Sequence, residues 1–148
     1  MSHARDKIRD AVLAAVANLA TTKKNAFASR VHPVNDNELP CVLVFTRTET
    51  SAPITMHPPR RFERALTVMV EGYVKMNTGY DDKLDKIAVE VEKAIYGNPS
   101  LNALIRDIFI SDTEIKIIGE AEKPVAVVSM TFSAKYHTLE NDPETLIN

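Results

Sequence analysis

The sequence predicts an α+β fold: a mainly antiparallel or mixed sheet, two helices packed on it, and a long β-hairpin arm. Two segments space their apolar residues as one helix face requires, while several others alternate or concentrate β-branched residues as strands do. The strands also follow one another in runs, which a doubly wound α/β chain would not do. With 148 residues the chain can build one core that buries roughly 68–70% of the unfolded surface. Residues 1–138 are read as a single domain and 139–148 as a flexible or partner-docked tail, because Asn141, Asp142 and Pro143 interrupt the last strand.

The elements follow in order. From Ala4 to Ala20, Ile8, Ala11, Val12, Ala15, Val16 and Leu19 line one face of a helix that ends near Thr21. Thr22 to Asn25 is a polar turn, Ala26 to Val31 a short strand stopped by Pro33, and Val34 to Leu39 a loop. Cys41 to Thr50 is dense in Val42, Val44, Phe45, Thr46 and Thr48 and reads as a strand. Ser51 to Pro59 reads as a long loop, because Pro53, Pro58 and Pro59 cannot donate to a ladder. Arg61 to Lys75 alternates, with Leu66, Val68, Val70 and Val74 on one side and Glu63, Thr67, Glu71 and Lys75 on the other. These two strands form a hairpin with the proline-bearing loop at its tip.

Asp81 to Tyr96 returns to helical spacing through Leu84, Ile87, Val91 and Ile95, and Gly97, Asn98 and Pro99 stop it. A short helical turn follows at Leu101 to Asp107. Ile108 to Ile118 and Val125 to Thr138 are two further strands joined by a turn at Gly119 to Pro124.

Composition excludes several classes. Lys plus Arg is 18 and Asp plus Glu is 20, a net charge of −2, so no basic field marks a dedicated nucleic-acid binder. No stretch approaches the roughly 18 apolar residues of a membrane span, and the charged N-terminus lacks the apolar run of a secretory signal. Cys41 is the only cysteine, which removes disulfide and multi-cysteine zinc chemistry and fits a reducing cytoplasm.

No catalytic or cofactor-binding constellation is legible. Gly72, Gly79, Gly97 and Gly119 lie too far apart for a dinucleotide or phosphate loop, and His3, His32, His57 and His137 form no metal-ligand spacing. Cys41 reads as a small core hydrophobe. Asp81, Asp82 and Asp85 suit the positive end of a helix dipole; the second reading is a divalent ion that promotes assembly.

The sharpest local feature is His57 to Arg64, where Arg60, Arg61 and Arg64 crowd the hairpin tip. It reads either as a solvated tip or as a docking arm whose guanidinium forks meet carboxylates on a partner. Leu13 and Val89 lie off the apolar stripes of their helices, which marks them as subunit-contact candidates.

Taken together, Phe27 to Val31 with Pro33, Glu38 to Phe45, Arg60 and Arg61, Asp82 to Ile95, Thr113 to Ile115, Gly119 to Pro124, and Met130 to Phe132 with Tyr136 resemble the tail terminator proteins of long-tailed phages, the minor tail protein U type. The resemblance covers about residues 4 to 138 and rests on strands and turns. It implies a non-enzymatic ring, commonly a hexamer, that caps the finished tail tube, ends its polymerisation and offers a surface to head-completion proteins. The implied partners are further copies of this chain, the major tail tube protein and a head connector protein, with no sequence-specific nucleic acid, no membrane and no cofactor. The implied location is the head-proximal end of the tail in the virion, and the host cytoplasm during assembly. Arg60, Arg61 and Arg64 would make intersubunit or tube contacts. Two other classes stay open on the residues alone: a different head-tail joining ring of the neck, and a small cytosolic enzyme with scattered catalytic groups.

Overall fold

The two longest strands, Arg61–Lys75 and Val125–Leu139, carry the clearest alternation and occupy the middle of the sheet. The computed structural model describes residues 2–28, 40–75, 79–118 and 125–147. The elements are α1 (Ala4–Ala15), β1 (Ala26–Ala28), β2 (Cys41–Pro53), β3 (Arg61–Lys75), α2 (Tyr80–Tyr96), α3 (Pro99–Leu104), β4 (Asp107–Ile118), β5 (Val125–Leu139) and β6 (Asp142–Ile147). The sheet order is β1-β2-β3-β5-β4, with β6 added to β5. Among the described residues only β1 and β2 pair in parallel, so the sheet is mixed and mainly antiparallel.

Alternation and register together build the core. Val68 pairs with Phe132, Val70 with Met130 and Leu66 with Ala134, so one sheet face is apolar across both central strands. That face meets Ile8 and Val12 of α1 and Leu84, Ile87, Val91 and Ile95 of α2, all fully buried. Gly72 is required where α2 presses on β3. A Cβ there would lie 2.6 Å from Ile87 Cγ2 and 3.2 Å from Val128 Cγ1, so any side chain would require this packing to shift.

Several boundaries differ from the local reading. The first helix ends at Ala15 and not near Thr21, although Val16 and Leu19 stay buried on the same stripe. A tertiary anchor explains this: the Thr21 N–H and hydroxyl both bond the Glu90 carboxylate on α2, and the backbone leaves helical geometry to reach it. Asn98 and Pro99, read as a stop, also start α3. The Asn98 side chain accepts from the Leu101 N–H at 2.9 Å, and Pro99 sits where a missing N–H costs nothing. The predicted strand end at Val31, the loop from Val34 to Leu39, His32 and the turn from Gly119 to Pro124 lie outside the described residues.

The hairpin region also differs. β2 extends through Pro53, which pairs with Phe62, so the proline-bearing connection is shorter than the sequence indicates. Pro53 is tolerated because it ends the strand. The hairpin is no free two-stranded arm, since β5 runs beside β3 as far as the pair Arg61 and Leu139. The segment read as a tail contains β6, whose Leu146 packs against the core and whose Glu144 carbonyl accepts from Lys7 Nζ at 2.8 Å. A six-residue strand gains its stability from the edge it joins, a partner that local periodicity does not contain.

Candidate functional site

The densest polar cluster forms where the hairpin end of the sheet meets the start of α1. A β-bulge between Thr46 and Glu49 shifts the β2 register, placing Glu49 opposite Leu66 on the helix-bearing face. The Glu49 side chain is only 8% exposed. Its Oε2 accepts from Arg5 Nη1 at 2.9 Å and from Arg64 Nη1 at 3.4 Å, while Oε1 accepts from the Tyr136 hydroxyl. One carboxylate therefore joins α1, β2, β3 and β5.

The other partners hold the cluster in place. Arg64 Nε donates to Thr138 Oγ1 at 3.0 Å, and its guanidinium carbon lies 5.7 Å from the centre of the Phe62 ring. His3 caps α1 by accepting the Arg5 N–H on Nδ1 at 3.2 Å. Burial, followed by the charge of Arg5, holds its imidazole below the ordinary value. The Tyr136 phenol is pushed well up, first by burial and then by its bond to Glu49. Its neutral form is thus favoured in the fold, and its stabilising effect is complete below the unfolded value near 10 and lost as pH rises toward the folded value. Above about pH 10 the wild type should lose stability more steeply than Tyr136→Phe, as read by urea unfolding at stepped pH. Parallel pH profiles would refute the coupling.

The three arginines of the hairpin point to three separate places. Arg60 Nη1 bonds Glu140 Oε2 at 3.2 Å beside the β5–β6 turn, and the Arg60 backbone N–H first, with its guanidinium second, holds the Glu140 carboxyl below its usual range. Arg61 Nε donates to Nδ1 of the buried His137 at 2.8 Å, and His137 Nε2 faces Glu63 Oε2 at 3.3 Å. Arg64 enters the Glu49 cluster on the opposite face. Each guanidinium thus has a partner within the chain, although charge density alone grouped them as one docking surface. His57 is exposed at the tip. Leu13 is half-buried against the core, while Val89 is half exposed on the outer side of α2. Asp81, Asp82 and Asp85 are exposed along the first turns of α2, and among the described residues no group of three or more His, Cys, Asp or Glu is arranged to hold a metal ion.

Sequence reading missed Glu49 and Tyr136. The one available signal was a lone acid among the β-branched residues of β2, and its burial depends on a bulge that the alternation does not announce.

Fold and cluster define a class: a small mixed-sheet α+β protein whose charged residues brace its own strands. The chain belongs to the phage minor tail protein U family, whose model matches residues 3–136. It is therefore a structural protein of the phage tail and a component of the virion. Comparison with curated proteins returns no match. Among solved structures, a chain described as the virion of a native gene transfer agent particle is similar at a TM-score of 0.46 and 15% identity, with 92% of each chain covered.

Proposed function

We propose that copies of this chain form a ring that caps the tail tube, stops its polymerisation and presents a surface for joining the head. The carrying observation is the family match across residues 3–136, nearly the whole chain. The architecture is compatible with that role. A braced sheet gives a rigid unit for repeated contacts, and the slight net negative charge avoids tight binding of DNA passing through a lumen. The partners in this reading are further copies of the chain, the tail tube protein and a head connector protein.

The test is to incubate the purified full chain with growing tail tubes and image the ends by electron microscopy. Rings at one end together with arrested growth support a terminator. Bare ends with unaltered growth refute it and favour another position in the neck.

A further inference from the structure

The turn that follows α1 is tight and tied at both ends. Lys23 has φ 54°, in the left-handed region, and its N–H bonds the Leu19 carbonyl at 2.7 Å, which reverses the chain. Thr21 anchors the turn to α2 through Glu90. At the other end the Asn25 carbonyl accepts the Val42 N–H at 2.8 Å, at the start of β2. Between these anchors the turn and α2 border a cavity of about 510 Å³, within the size range of small-ligand sites. Thr22, Lys23 and Asn25 line it from the turn, and Lys83 and Lys86, one turn apart on α2, line it from the helix.

Two independent observations give this cavity a chemistry. The first is charge. Among the described residues the lining carries three ammonium groups and no acid. Asp82 and Asp85 line a separate surface with Val89, and both oxygens of Glu90, one turn beyond Lys86, are bonded to Thr21. No carboxylate among the described residues pairs with Lys23, Lys83 or Lys86. Like charges gathered without a counter-charge repel, so the arrangement favours an anion among them. The second is a buried hydroxyl. Thr22 is 1% exposed, and its Oγ1 is the one buried side-chain polar atom among the described residues that reaches no hydrogen-bond partner. Folded proteins satisfy nearly all such groups, and an acceptor held at the cavity wall would satisfy this one.

We infer that this cavity is a binding site for a small phosphate-bearing anion, held by Lys23, Lys83 and Lys86 with Thr22 Oγ1 as a neutral donor. The donor set selects the class. Lysines act as point charges suited to a tetrahedral polyanion, whereas a planar carboxylate is matched by the guanidinium fork, and among the described residues no arginine lines the cavity. The site lies within one copy and does not depend on the ring proposed above.

The experiment titrates the full chain with sodium pyrophosphate in low-salt buffer, followed by calorimetry and by amide shifts in NMR spectra. Saturable binding, with shifts concentrated at Thr22 to Asn25 and at Lys83 to Lys86, is the expected result. Lys83→Gln with Lys86→Gln should weaken binding at least about tenfold. Lys24→Gln, exposed on the same turn but off the lining, should change it by less than about twofold. Thr22→Val should weaken binding at least about threefold, whereas a hydroxyl with a purely structural place would move the urea midpoint and leave the affinity untouched. Citrate, which offers planar carboxylates, should bind at least about tenfold more weakly than pyrophosphate. Absence of saturable binding, shifts confined to other segments, or full affinity in the folded double lysine variant would overturn the site. Citrate binding as tightly as pyrophosphate would overturn the phosphate class, and unchanged affinity in Thr22→Val would remove Thr22 as a donor.

Discussion

Replacing Glu49 with Ala should lower the free energy of unfolding by about 3–5 kcal/mol, the usual consequence of removing one partner from a buried ion pair. The Arg64 side chain is only 14% exposed, so its charge would remain where water is scarce, and the Tyr136 hydroxyl would lose its acceptor. Against a typical total of about 5–15 kcal/mol, that loss leaves little margin. Glu49→Gln retains an acceptor for Tyr136 and should cost less. Arg60→Ala provides the contrast. Its ion pair with Glu140 is 43% exposed on the arginine side, and removing it should cost no more than about 1 kcal/mol. Urea midpoints of the three variants measure the difference. A Glu49→Ala protein as stable as Arg60→Ala would remove Glu49 as the brace of the hairpin end.

Phe132→Ala should cost a comparable amount, about 3–5 kcal/mol, and should also loosen the β4 edge. Phe132 is fully buried between Val68 on β3 and Ile110 on β4. Its ring meets that of Tyr96 edge to face, with centroids 6.3 Å apart. The Tyr96 hydroxyl in turn accepts the Ile110 N–H at 2.8 Å, so one aromatic pair ties the end of α2 to the start of β4. Tyr96→Phe separates the two effects, since it keeps the ring contact and removes the acceptor. Its global cost should be about 0.5–1.5 kcal/mol, with faster amide exchange confined to β4 near Ile110. Unchanged exchange at Ile110 would show that α2 does not restrain the edge.

What could be read locally is what periodicity encodes. The helix predicted over Asp81 to Tyr96 is α2 at Tyr80–Tyr96, and the alternation over Arg61 to Lys75 coincides with β3. Both patterns repeat every few residues, so a short window contains the whole signal. The end of α1, the β2 bulge and β6 lack that property. Thr21 leaves helical geometry to reach Glu90, β6 needs the free edge of β5, and the bulge appears only in the register with β3.

The candidate site divides in the same way. Charge density drew attention to Arg60, Arg61 and Arg64, yet each has a partner 74 to 80 positions later in the chain, and Arg64 also reaches Glu49, 15 positions earlier. By itself the sequence determined the α+β class, the two amphipathic helices and the apolar faces of the central strands, because each follows from the 3.6- or 2-residue spacing of neighbouring side chains. Only the tertiary structure decided that Glu49 is buried, that the arginines are held apart and that the distal half of β4 is left exposed, because strand register and helix placement arise from contacts between segments far apart in the chain.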